Sequence, residues 1–140
     1  MKLAGLIEFY ETLSPDSVGR CADFYGDDAC FKDPFNEVRG VAAIERIFRH
    51  MFTQLQAPRF IVTRTLAGAG EAMLAWELHY RTRGWGSSKE EVIRGMSHLV
   101  FRPDGRVASH RDYWDAAEEL YQKLPGIGAL MRLLRRHLAA

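Results

Sequence analysis

The sequence predicts an α+β fold, a sheet packed on N-terminal helices with a further helical segment at the C-terminus. Three observations predict it. Apolar residues recur at spacings of three and four over residues 2–13 and 41–53. The period falls to two after residue 58, and short turns separate the alternating runs. The helical period then returns in residues 115–140. Helices followed by a run of strands argue for an antiparallel, meander-like sheet rather than alternating βαβ units. With 140 residues the chain reads as one domain over 1–140, with residues 116–140 as an appended helical tail.

Leu3, Leu6, Ile7, Tyr10 and Leu13 form the stripe of the first helix, and Ser14-Pro15-Asp16 stops it. A second short helix is expected to about Tyr25, with Val18, Cys21, Ala22 and Phe24 or Tyr25 inward and Gly26-Asp27-Asp28 as its breaker. Ala29 to Asp33 reads as a short strand ended by Pro34, and residues 34–40 as a loop. Ile44, Ile47, Phe48, Met51 and Phe52 give the third helix, Val41 to Thr53, its single apolar stripe, and Pro58 closes the region. Strands follow: Phe60 to Leu66, rich in β-branched residues, then Ala72 to Tyr80, then Glu91 to Phe101, and last Arg106 to Trp114. Gly68-Ala69-Gly70, Arg83 to Ser88 and Pro103-Asp104-Gly105 are the turns between them. The tail breaks at Leu124-Pro125-Gly126.

Composition narrows the function classes. Nineteen Lys and Arg against eighteen Asp and Glu leave a net charge of +1, which offers nucleic acid no basic surface. No apolar run approaches the ~20 residues a bilayer span needs. Glu8 and Glu11 stand where a signal peptide would be apolar. The expectation is a cytoplasmic protein with neither a nucleic-acid nor a membrane partner. Two cysteines, Cys21 and Cys30, are too few for a disulfide framework and read as small buried residues. The five histidines are scattered, so no metal site is expected, and no glycine-rich nucleotide loop or nucleophile elbow is present.

Four positions carry candidate chemistry. Asp33, at a strand end before Pro34, suits a general base at a cavity mouth, or else starts a turn by bonding nearby backbone. His110 and Asp112 share one strand face about 6.7 Å apart along the chain, as a His–carboxylate pair needs, though the flanking apolar residues leave the buried face open. Tyr10 lies on an apolar stripe, so its hydroxyl needs a partner. Arg39 is placed to pair with Asp33 or Glu37, or to meet an acidic ligand.

The stretches Tyr25 to Phe35 with Asp33-Pro34, Val38 to Phe48 with Arg39-Gly40, and Gly95 to Asp115 with His110-Arg111-Asp112 resemble the NTF2-like superfamily. That superfamily holds ketosteroid isomerase, the SnoaL-like polyketide cyclases, scytalone dehydratase and limonene epoxide hydrolase. The resemblance covers residues 1 to about 115. It implies a cone-shaped, curved antiparallel sheet of the cystatin-like roll type around a cavity. It also implies that the isomerase's base matches Asp33 and its oxyanion tyrosine matches Tyr10. The isomerase's second donor, a protonated Asp, matches Ser97, a weaker donor, so steroid isomerisation is not the expected reaction. Late-strand acids of the cyclases are similar to Asp112, and Asp33, Arg39 and Asp112 have the residue types of the epoxide hydrolase's Asp-Arg-Asp group.

Together these readings point to a small apolar ligand in a cavity lined by Phe31, Phe35, Arg39, Met73, Trp76, Ser97 and Trp114. One expectation is cofactor-free acid/base chemistry of the isomerase, cyclase, dehydratase or epoxide-hydrolase kind, with Asp33 as base, Tyr10 at the oxyanion and His110, oriented by Asp112, relaying a proton. The alternatives are a non-catalytic binding module, or a structural dimer with a vestigial pocket; the resemblance also implies a homodimer, formed through an exposed sheet face.

Overall fold

The computed structural model describes residues 2–82, 89–120 and 126–139. Helix α1 (Leu3–Glu11) comes first. A 3-10 turn (Val18–Arg20) then runs into the four-residue α2 (Cys21–Phe24). Strand β1 (Tyr25–Lys32), the short β2 (Glu37–Arg39) and helix α3 (Val41–Gln54) follow. The remaining strands are β3 (Leu55–Gly68), β4 (Glu71–Thr82), β5 (Glu90–Phe101) and β6 (Val107–Tyr113). They form one six-stranded sheet in the order β2-β1-β6-β5-β4-β3. Helices α4 (Ala116–Glu119) and α5 (Ile127–Leu138) end the chain.

The α+β class holds, but the sheet is not purely antiparallel. β1 pairs with β6 in parallel, Phe31 opposite His110, while the other pairs are antiparallel. Local periodicity cannot show this, because the pairing joins two strands about eighty residues apart. It matters for the site, since it sets β1 beside the strand that carries His110 and Asp112.

Several elements differ from the sequence reading. Gly26-Asp27-Asp28 does not break a helix but lies within β1, which starts at Tyr25. Ala22 is exposed rather than inward, because the helix is only one turn long and turns Cys21 and Phe24 to the core. Residues 37–39 form a strand inside the expected loop. β3 begins at Leu55 and carries Pro58 at a register shift between Gln56 and Arg59, where Ala57 takes a positive φ of 49°. A bulge is where a strand tolerates proline. Cys30 is exposed, since β1 alternation sends Ala29 and Phe31 inward and Cys30 out. The expected turn at Arg83 to Ser88 lies outside the described residues, as do Leu124 and Pro125 of the expected tail break.

The core sits between the sheet's inner face and the helices. β4 buries Ala72, Leu74, Trp76, Leu78 and Tyr80 at a strict period of two. α3 turns Ile44 and Phe48 inward, with Ile47, Met51 and Phe52 packed partly buried against the core. α1 contributes Leu6, Phe9 and Tyr10. α1 packs on β3, and α3 packs on β1 and β3. Gly40 precedes α3 with φ 97°, a left-handed conformation that favours glycine.

Candidate active site

The site is set by a defect in β6. Val107 and His110 are both buried, three residues apart, which a regular strand cannot do. The register shifts between β5 and β6, so that Val100 faces Ser109 and Phe101 faces Val107, which leaves Ala108 as the extra residue. A bulge resets the phase of the alternation. Downstream of it, His110 and Asp112 point inward and Arg111 outward, where its guanidinium lies over the Tyr113 ring.

His110 is 4% exposed and Ser97 3%. They belong to one hydrogen-bonded chain. The Tyr10 and Tyr25 hydroxyls are 2.7 Å apart. Tyr25 Oη lies 2.7 Å from His110 Nδ1, and Tyr10 Oη 3.3 Å. On the other side of the ring, His110 Nε2 is 2.6 Å from Asp112 Oδ1. Ser97 donates to the same Oδ1 at 2.5 Å and accepts from the Trp76 indole N–H at 2.8 Å. The β5–β6 register puts Ser97 directly opposite Asp112. Phe31 packs edge-on against the His110 ring and Tyr25 stacks parallel to it, which fixes the imidazole plane.

Burial raises both tyrosine hydroxyls well above their ordinary value of 10.0. For Tyr10 the largest cause is desolvation, partly offset by the hydrogen bond with Tyr25, and the Asp112 charge adds to the rise. For Tyr25 desolvation again leads, reinforced by Tyr10. Both therefore remain O–H donors through the neutral range.

Asp112 borders three cavities. The largest, about 770 Å³, lies between α3 and the inner sheet face and is walled mainly by apolar side chains, among them Phe31, Phe60, Trp76, Leu78 and Ile93. An open groove of about 560 Å³ runs from Lys32 and Asp33 to Asp115. A small void of about 20 Å³ touches Tyr10, Ser97, His110 and Asp112. Asp112's side chain is 16% exposed. Both of its internal contacts use Oδ1, and among the described residues Oδ2 has no hydrogen-bond partner.

Of the residues singled out from sequence, the fold brings Tyr10, Ser97, His110 and Asp112 into contact, with Trp76 bonded through Ser97. Phe31, Phe35, Trp76 and Trp114 line the large cavity, and Phe35 and Trp114 meet edge-to-face at 5.6 Å. Asp33 stands at the rim, outside the hydrogen-bonded chain. Its Oδ1 accepts from the backbone N–H of Phe35 at 2.8 Å and Asn36 at 2.6 Å and from the Asn36 amide at 3.1 Å. Its Oδ2 accepts from the same amide. This is the turn-forming role of an Asp before Pro.

Two expected lining residues face away. Arg39 pairs with Asp28 at 3.4 Å, not with Asp33 or Glu37, because β2 alternation turns Val38 to the cavity and Arg39 to the outer face. Met73 is 39% exposed on the face of β4 opposite Leu74 and Trp76. Tyr25 is the site residue that sequence reasoning passed over, because it reads as a helix end. Its signal was a large polar aromatic at the first position of a strand.

Among the described residues no group of three or more His, Cys, Asp and Glu is close enough to hold a metal ion, and no helix is long and apolar enough to cross a membrane.

The family model described as a SnoaL-like domain matches residues 6–110. No curated protein matches the chain. Among solved structures, a hypothetical protein with a ketosteroid isomerase-like fold from Catenulispora acidiphila, in complex with trimethylamine, is similar with a TM-score of 0.70 at 12% identity, over 84% of this chain and 88% of that one. An NTF2-like protein of unknown function from Burkholderia pseudomallei gives 0.71 at 14%, over 84% and 92%. An LEH-like epoxide hydrolase of M. tuberculosis gives 0.66 at 16%, over 94% and 88%. At these identities the likeness is one of fold.

Proposed function

Because the chain belongs to the SnoaL-like domain family and sets a carboxylate at the wall of an apolar cavity, we propose that it is a cofactor-free acid/base enzyme acting on a small apolar molecule, with Asp112 as the proton acceptor. The observation that carries this reading is the split of Asp112's two oxygens. Oδ1 is held by His110 and Ser97, while Oδ2 is left for a ligand. A carboxylate fixed by one oxygen and presented by the other is pre-oriented to take a proton from a bound substrate.

Sequence reasoning gave the base's role to Asp33. The contacts of Asp33 argue for the other acid. Four hydrogen bonds from N–H donors spread over both of its oxygens, and each would weaken if the carboxylate took a proton. Tyr10 likewise spends its hydroxyl on Tyr25 and His110 and supports the base rather than meeting an oxyanion in the large cavity. Phe31, Trp76 and Trp114 supply the apolar walls, which favour flat hydrocarbon or aromatic ligands.

The test uses a C–H acid that needs no cofactor, 5-nitrobenzisoxazole. A base removes the ring C–H proton, the N–O bond breaks as the nitrile forms, and the ring opens to a single cyanophenolate product, which is read by its absorbance. The wild-type protein is expected to accelerate this above an equal concentration of acetate. Asp112→Asn is expected to lose at least about 100-fold of the acceleration, the lower end of what a positioned base contributes. A wild type no faster than acetate, or an undiminished Asp112→Asn, contradicts the reading. Saturable binding without turnover would favour a ligand-binding module instead.

A further inference from the structure

We propose that Tyr25 is a positioning residue that fixes which nitrogen of His110 carries the proton, holding it on Nε2 where it points at Asp112. The inference rests on Asp112 being the base, and it concerns how that base is held.

The protons on these buried groups can be counted. Three atoms form a triangle on one side of the imidazole: Tyr10 Oη, Tyr25 Oη and His110 Nδ1, with sides of 2.7, 2.7 and 3.3 Å. Both tyrosines are buried and both keep their protons, so each hydroxyl has one hydrogen to place. If Nδ1 offers a lone pair, Tyr25 donates to Nδ1 and Tyr10 donates to Tyr25. Every hydrogen then has an acceptor. If Nδ1 instead carries a hydrogen, it donates to Tyr25 and Tyr25 donates to Tyr10. The Tyr10 hydrogen then finds no acceptor among the described residues, and an unmatched buried donor is costly. The tyrosine pair therefore selects the lone pair on Nδ1 and sends the ring proton to Nε2.

The far side of the ring agrees. Nε2–H donates to Asp112 Oδ1 at 2.6 Å. Trp76 N–H donates to Ser97, whose one hydrogen goes to the same Oδ1 at 2.5 Å in preference to His110 Nε2 at 3.2 Å. Two donor chains, one starting at Tyr10 and one at Trp76, run in the same sense and end on one oxygen. Oδ1 is thereby saturated, and the reactive lone pairs are those of Oδ2. Tyr25 holds the end of the first chain that touches the ring, so its hydroxyl decides the direction.

The distances separate the two tyrosines. Removing the Tyr10 hydroxyl leaves the 2.7 Å Tyr25–Nδ1 bond in place. Removing the Tyr25 hydroxyl leaves Nδ1 only the 3.3 Å contact to Tyr10, beyond the usual range for a good O–H bond. Long-range proton–nitrogen NMR correlations of histidine-labelled protein report the tautomer directly. The His110 signal is identified by its loss in His110→Gln. Wild type and Tyr10→Phe are expected to show His110 in the Nε2–H form alone. Tyr25→Phe is expected to lose that single form and show both tautomers in exchange, with the other four histidines unmoved as the check on folding. An Nδ1–H form in the wild type overturns the proposal with no variant needed. So does an unchanged His110 signal in folded Tyr25→Phe. These readouts use no substrate. An Nε2–H wild type with an undiminished Asp112→Asn would sink the base assignment and leave Tyr25's role standing.

Discussion

Gly95 shows how closely the residues around Asp112 are fitted. It pairs with Trp76 across β4 and β5, and a Cβ there would stand 2.5 Å from two atoms of the indole ring. The bare backbone lets the ring lie against β5, where its N–H reaches Ser97 and through it Asp112. Gly95→Ala must push the indole aside, since a rigid ring in a packed wall cannot give way cheaply. The expected cost is about 1–3 kcal/mol in urea unfolding, the usual penalty of overpacking, with a smaller cavity and weaker binding of apolar ligands. A variant of unchanged stability would mean that the indole is not held as described. At this scale the sequence was only partly readable. Tyr10 and the His110–Asp112 pair announced themselves by stripe and spacing, and Asp33 announced both of its possible roles. Tyr25 did not, because its importance comes from a partner eighty-five residues away. Arg39 and Met73 were misplaced because chemical type says nothing of which way a strand residue faces.

Among the elements, those with a strong local period were legible and those shaped by pairing were not. The stripes of α1 and α3 and the alternation of β4 fix their own buried faces. The face of β6 depends on a bulge, and the place of β1 on a parallel partner, and neither leaves a local pattern. The same distinction separates two helices of similar apolar spacing. α3 buries Ile44 completely. α5 leaves Ile127, Leu130, Leu133 and Leu134 about half exposed and Leu138 at 84%. Ile44→Ala should therefore cost about 2–5 kcal/mol through the cavity it leaves. Leu134→Ala should stay within about 0.5 kcal/mol. Urea midpoints of the two variants check the contrast. A comparable loss at Leu134 would mean that α5 packs on something in solution, such as a second copy of the chain.

For the molecule as a whole, the near-balance of charge conceals a core that holds tyrosine and cysteine side chains in their neutral forms. Burial raises Tyr10 and Tyr25 and also Tyr80, and it pushes the Cys21 thiol from 9.0 to about 12. A group whose folded value lies above its unfolded one binds its proton more tightly when folded. Its stabilisation is complete below the unfolded value and is lost as pH rises toward the folded one. Stability should thus hold through the neutral range, begin to fall above about pH 9 as Cys21 titrates in the unfolded chain, and fall more steeply above about pH 10 as the tyrosines join it. Urea midpoints from pH 8 to 11 read this directly, and a flat profile would contradict the burial of these groups. The same desolvated interior gives the cavity its chemistry, by setting one carboxylate oxygen before an apolar space. The most direct test of that claim is 5-nitrobenzisoxazole turnover by Asp112→Asn and Asp33→Asn measured side by side. A loss of about 100-fold or more is expected in the first and a rate within a few-fold of wild type in the second. The reverse order, or equal losses in both, would contradict the claim.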